Sequence, residues 1–169
     1  MLILDLRRLE QAPAEVKGAI SADDPVWEAG GVKLATDLAV RATAEGSSTR
    51  GVWVRGSFLG RIQTQCRRCL EPLEVEVADE LAVFFDPEAS AVDEDMALYA
   101  LELGADELDL RPVVRERLLL AMPDYPLCGE GCRGLCPSCG TNLNESECDC
   151  AEAELDPRWA PLQKSQRKD

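Results

Sequence analysis

Apolar and polar residues alternate with a period of two over much of the first half of the chain. Val32, Leu34, Thr36, Leu38 and Val40 interleave with Lys33, Ala35, Asp37, Ala39 and Arg41, the signature of a half-buried strand. Glu45-Gly46-Ser47-Ser48 marks a turn, and the segment from Gly51 to Ile62 resumes the extended pattern. Leu73, Val75 and Val77 alternate with Glu74, Glu76 and Ala78 in a further half-exposed strand. Such segments joined by short connections predict an antiparallel meander or a small barrel. Asp86 to Asp106 reads as an acidic connector. Asp109 then offers a helix cap, and Pro112 falls in the first turn, where a missing N–H does no harm. Val113, Val114, Arg117, Leu118 and Ala121 form one helical face, which Pro123 and Pro126 end. Asp156-Pro157-Arg158-Trp159 has the look of a short final helix start. The predicted class is α+β: an antiparallel β meander or small barrel, one main helix, and a cysteine-rich zinc-binding C-terminal segment. The predicted division is a strand-rich part over 1–122 and a ribbon-like part over 123–169, packed on the first through shared metal ligands.

Composition narrows the picture. Hydrophobic residues make up 46% of the 169, but three Phe, three Trp and two Tyr leave the core to Leu, Val and Ala. Met1 to Arg7 reaches charge before an apolar run can form, and Leu118 to Met122 is far too short to span a bilayer. The expectation is a soluble, cytoplasmic protein. The net charge is −14, with nine acids and no base between Leu81 and Leu110. Phosphate-driven binding needs clustered Lys and Arg. The global charge therefore opposes indiscriminate nucleic-acid binding and suits a basic partner, such as a ribosomal protein. For Asp86 to Asp95 a solvated acidic loop is the simpler reading. The chain has no histidine, which removes the commonest general base and every His-dependent triad. No enzymatic activity is expected.

Eight cysteines stand at Cys66, Cys69, Cys128, Cys132, Cys136, Cys139, Cys148 and Cys150. Cys66-Arg67-Arg68-Cys69 and Cys136-Pro137-Ser138-Cys139 have the spacing that lets two sulfurs of one turn face one ion. Gly140 supplies a residue that tolerates positive φ, so that backbone N–H groups can turn toward the sulfurs. Cys136, Cys139, Cys148 and Cys150 are close enough in sequence to close on themselves. Cys66 and Cys69 are left with Cys128 and Cys132. In Cys148-Asp149-Cys150 a single intervening residue makes a tight chelate, so one of those sulfurs is the weakest ligand. Structural zinc is the leading reading, since Leu127 to Cys150 offers only Leu127, Leu135 and Leu143 as sizeable apolar residues. A bound zinc is worth about 10–16 kcal/mol in such segments. Disulfides, iron–sulfur ligation and thiol redox chemistry at Cys66 and Cys69 are the competing readings.

These residues resemble a known family. Cys66-Arg67-Arg68-Cys69-Leu70-Glu71-Pro72, the block from Asp109 to Glu116 with Leu118 to Pro123, the segment from Cys128 to Cys150, and Asp156 to Trp159 are together similar to the YceD family of large ribosomal RNA subunit accumulation proteins. The resemblance implies a role in ribosome biogenesis. It points to a zinc-stabilised adaptor that binds ribosomal RNA or a ribosomal protein, with Arg61, Arg67 and Arg68 as candidate RNA contacts. Those arginines would equally serve to balance thiolates and Glu71. A redox-responsive zinc-thiolate protein is the alternative.

Overall fold

A computed structural model describes residues 2–10, 12–48, 50–89 and 98–150. The order is β1 (Ile3–Asp5), a 3₁₀ helix (Leu6–Glu10), β2 (Ala14–Ile20), a second 3₁₀ helix (Pro25–Gly30), β3 (Leu38–Gly46), β4 (Val52–Gln65), β5 (Pro72–Asp86), β6 (Leu98–Ala100), β7 (Glu107–Asp109) and α1 (Arg111–Ala121). The chain divides into two compact units. Met1–Thr64 with Pro72–Pro126 form the first; Gln65–Glu71 with the chain from Leu127 onward form the second. A sequence boundary at 122 misses that the short loop between β4 and β5 groups with the cysteine-rich segment.

In the first unit, β2, β3, β4, β5 and β6 lie in that order in one sheet. Each of the first four neighbours its successor in sequence, as a meander requires. β2 pairs antiparallel with β3, from Ala14 opposite Ala44 to Ile20 opposite Leu38, and β3 pairs antiparallel with β4. The sheet is nonetheless neither purely antiparallel nor closed. β6 joins β5 in parallel through Phe84, Phe85 and Asp86, and a three-residue strand is too short to carry the tilted ladder that a barrel needs. β1 and β7 form a separate two-stranded ladder that periodicity did not reveal, because three-residue strands show no period.

The strand expected over Val32–Val40 is split. Leu34 makes an isolated bridge to Ile62, the chain bends at Ala35 and Thr36, and β3 starts at Leu38. Asp37 Oδ1 accepts the Ala22 N–H at 3.0 Å, which anchors the bend. Val32, Leu34, Leu38 and Val40 are still buried, whereas Thr36, expected on the same side, is exposed at the bend, so alternation found four of the inward side chains but not the break. The core joins these to Val54, Phe58, Ile62, Val77, Leu81, Val83 and Phe85 of the sheet and Val113, Val114 and Leu118 of α1.

The N-cap position of α1 is Leu110, which has no capping side chain. Asp109, expected there, sits one residue earlier and accepts the Arg111 N–H on Oδ1 at 2.9 Å. Arg111 also binds the Asp109 carboxylate at 2.7 Å and Asp24 at 3.2 Å. Asp24 in turn caps the second 3₁₀ helix through Val26 N–H. The helix stops at Met122, whose extended conformation is the one that the following Pro123 imposes. The segment Asp156–Trp159, expected to begin a final helix, lies outside the described residues, as does part of the acidic connector.

Two outcomes follow. Leu118→Ala deletes a fully buried side chain and should cost about 2–5 kcal/mol in chemical denaturation. Burial alone would raise the Asp109 carboxyl, but Arg111 outweighs it and holds the carboxyl below its usual range. That stability is present above the ordinary aspartate pKa and lost as pH falls through the lowered one. Denaturation midpoints of Arg111→Met against pH should therefore fall less steeply on the acid side than those of the parent.

Candidate metal centre

Two turns with the same backbone wiring carry half of the cysteines. In the first, Leu70 N–H donates to Cys66 O at 3.0 Å and Cys66 N–H to Glu71 O at 2.9 Å. In the second, Gly140 N–H donates to Cys136 O at 2.9 Å and Cys136 N–H to Thr141 O at 2.8 Å. The residue after the second cysteine has positive φ in both: 61° at Leu70 and 75° at Gly140. Glycine at 140 announced this geometry in sequence, whereas leucine at 70 concealed it. A left-handed leucine costs roughly 1–2 kcal/mol, and 56% exposure leaves Leu70 little burial to offset it.

Arg68 locks the first turn onto the cysteine-rich segment. Its backbone carbonyl accepts Leu135 N–H at 3.1 Å, and its guanidinium donates to Cys132 O at 2.9 Å. Gly134, at φ 75°, lets the chains approach, since a Cβ there would come within 3.1 Å of Arg68 O. Beyond it, Leu135 bridges Asn142 and Leu143 N–H donates to Gly134 O.

The sulfurs converge in two groups of four, Cys66/Cys69/Cys128/Cys132 and Cys136/Cys139/Cys148/Cys150, with the sulfurs of each group all within 4.8 Å of one another. All eight are free thiols. Cys66 Sγ lies 3.7 Å from Cys132 Sγ, and Cys69 Sγ 3.6 Å from Cys128 Sγ. A tetrahedron of sulfurs about 2.3 Å from one ion has edges of about 3.8 Å, so the donor set fits a single four-coordinate metal ion. Cys148 and Cys150 both belong to the second group, and the tight chelate leaves neither sulfur out. The groups differ in cover. Cys66, Cys69 and Cys132 are buried and Cys128 exposed, whereas only Cys136 is buried in the second group and Cys139 and Cys150 are exposed.

Electrostatics show what such a group lacks without an ion. Backbone N–H donation, first from Cys69, pulls the Cys66 thiol down to about 6, and Thr141, first through its side-chain hydroxyl and then through its backbone, pulls Cys139 down to about 6. Their neighbours respond in the opposite sense. Cys128 is pushed up to about 12, first by Cys132, and Cys150 to about 12, first by Cys139. Four thiolates this close repel, and only a bound cation lets all four ionise together.

Two supporting residues were not singled out from sequence. Asn144 Nδ2 reaches Cys132 Sγ at 3.5 Å, and its Oδ1 accepts Arg133 N–H at 2.7 Å. Thr141 Oγ1 lies 3.1 Å from Cys139 Sγ. Polar side chains just past a cysteine turn are the only sequence signal for them, in keeping with the hydrogen bonds that orient metal ligands. The three arginines are placed differently. Arg61 lies in the first unit, exposed on β4, 4.0 Å from the Glu74 carboxylate. Arg67 is exposed and has no ion pair or hydrogen bond among the described residues. Arg68 is engaged by Cys132 as described.

An open mixed sheet in one unit and two convergent four-cysteine groups in the other define a cysteine-cluster protein equipped to hold metal. The chain belongs to the family described as Large ribosomal RNA subunit accumulation protein YceD, which it matches over residues 54–164. It is 35% identical over 133 residues to an uncharacterised protein of Mycobacterium tuberculosis, covering 78% of this chain and 61% of that one. A Mycobacterium leprae protein, also uncharacterised, is 28% identical over 136 residues, 78% of this chain and 58% of that one. The chain thus spans about three fifths of the mycobacterial relatives. The chloroplastic large ribosomal RNA subunit accumulation protein YCED homolog 1 of Arabidopsis thaliana is 36% identical over 56 residues, 33% of this chain and 17% of that protein. No solved structure matches the chain. Among the described residues no helix is long and apolar enough to cross a membrane.

Elemental analysis of protein purified without added metal should give two ions per chain, falling to one in Cys132→Ser and to one in Cys139→Ser. Hydrogen exchange on Cys69→Ser should show faster exchange at the amides that follow Cys128 as well as in the first turn, because the two segments share one group.

Proposed function

We propose that this chain is a non-enzymatic, zinc-stabilised adaptor in ribosome biogenesis, supporting accumulation of large-subunit ribosomal RNA by binding a ribosomal component. The observation that carries the reading is the pair of four-sulfur groups at single-ion spacing in a chain of this family. Zinc suits four thiolates in a tetrahedron and leaves no open position, which favours scaffold over catalyst. An iron–sulfur cluster would spread its thiolates over several irons, and sulfurs within 4.8 Å favour one ion.

Between RNA and a ribosomal protein as the direct partner, charge favours the protein. Four thiolates on one Zn²⁺ leave two formal negative charges at each site, which add to a chain already at −14. Of the candidate RNA contacts, Arg68 is committed to Cys132 O and Arg61 lies beside Glu74. Arg67 alone is unengaged, too little for a phosphate-binding surface. The working partner on this reading is a basic ribosomal protein, and the effect on ribosomal RNA is indirect.

Purification of the tagged protein from cells, with identification of bound RNA and protein, tests this. A basic large-subunit protein should be recovered, and Arg67→Gln should leave its recovery unchanged. Direct phosphate contact predicts the opposite: Arg67→Gln would weaken RNA association and lower its salt slope by about one. Recovery of no ribosomal component would sink the adaptor reading.

A further inference from the structure

β5 is 15 residues long, and among the described residues most of one of its edges is unoccupied. β4 lies along one side. On the other, β6 pairs only with Phe84, Phe85 and Asp86. Among the described residues no further backbone hydrogen bond reaches the stretch from Leu73 to Val83 on that side. Glu80 N–H is taken up instead by the side chain of its neighbour, Asp79 Oδ1, at 2.8 Å, as befits an N–H without a ladder partner.

The chemistry of this edge is one-sided. Glu74, Glu76, Ala78 and Glu80 alternate on the exposed face, and β5 contains no Lys or Arg. Arg61 stands near Glu74, and Arg117 of α1 reaches Asp79 at 3.6 Å. Glu76 and Glu80 have no cationic partner among the described residues. An open edge is a template for any extended chain, and proteins guard such edges with charge. Here the guard is selective. A second copy of β5 would set glutamate against glutamate, which destabilises a ladder, whereas lysine or arginine opposite those positions stabilises it.

We propose that the outer edge of β5, from Glu74 to Ala82, receives an extended segment of a protein partner with Lys or Arg at alternate positions, added as a further strand. The proposal rests on the adaptor reading above and assigns the place at which the basic partner docks. Backbone hydrogen bonds supply the strand geometry, and the exposed glutamates select for basic sequence.

The metal-loaded full chain can be tested with a synthetic ten-residue peptide alternating Lys and Val. Two controls of identical charge carry N-methyl groups on one or the other alternate set of backbone nitrogens. Only one edge of an added strand faces β5, so one control should bind about tenfold weaker and the other nearly as well as the parent. The parent peptide should slow hydrogen exchange between Glu74 and Ala82. Glu76→Lys with Glu80→Lys, both at exposed positions, should weaken binding about tenfold without moving the thermal midpoint. Equal effects of the two controls, or protection elsewhere in the chain, would overturn the proposal. If such a chain still captured a basic ribosomal protein from cells, the adaptor reading would stand and the β5 edge would be excluded; if no ribosomal component were recovered at all, the adaptor reading itself would fall.

Discussion

Mutual repulsion among closely held thiolates is the constraint on which the cysteine-rich unit depends. From Leu127 to Cys150 there are too few large apolar side chains to build a core, so hydrophobic burial cannot order the segment. The sulfurs are nevertheless gathered to within 4.8 Å, where ionised thiols oppose one another. Backbone N–H groups favour thiolate at Cys66, the Thr141 hydroxyl favours it at Cys139, and Cys132 and Cys136 are lowered as well, while Cys69, Cys128, Cys148 and Cys150 are driven the other way. A divalent cation held by four thiolates would resolve the conflict, and its binding free energy would replace the missing core. The first unit obeys a different logic, with an apolar cluster between sheet and helix and the Asp24–Arg111–Asp109 chain of ion pairs fixing where that helix starts.

How much of this was legible in the sequence depended on the range of the interaction. The two cysteine quartets could be drawn from spacing alone, because zinc chemistry allows few ligand types and the chain supplies no histidine. Alternation located Leu38 and Val40 of β3 and Val77 of β5 as inward residues. It could not locate the bend at Ala35 and Thr36, because Thr36 keeps the alternation in sequence although its side chain is exposed. The β1–β7 ladder escaped because three residues carry no period, and the parallel pairing of β6 because register is not a local property. Leu70 was the least readable position: it takes the role that Gly140 plays in the other turn, and only the backbone reveals it. Arg68 was read as a candidate contact for RNA, but the geometry shows it holding the first turn to Cys132 and Leu135.

Charge is what the proposed function draws on. On the proposed reading a metal–thiolate centre would add negative charge to a chain that is already strongly acidic, and of the arginines beside the cysteines Arg68 is engaged by Cys132. The electrostatic character of the molecule is therefore that of a receptor for cations. On the proposed adaptor reading, a protein that handles a basic ribosomal partner affects RNA accumulation without touching a phosphate.

The separation in sequence of the first quartet has a consequence for how the chain is made. Cys66 and Cys132 are 66 residues apart, and Cys69 and Cys128 are 59 apart, while Cys139 and Cys148 are only nine apart. Closing the longer loop costs about 1.7 kcal/mol more entropy than closing the shorter. During synthesis the first cysteine turn emerges well before its partners, so its two thiols wait, unprotected, until the chain beyond Cys132 leaves the ribosome. The second quartet assembles from neighbours as soon as Cys150 appears. The earliest cysteines made thus depend on a late segment, and nascent chains arrested between residues 69 and 128 carry a half-site with no means of closing it.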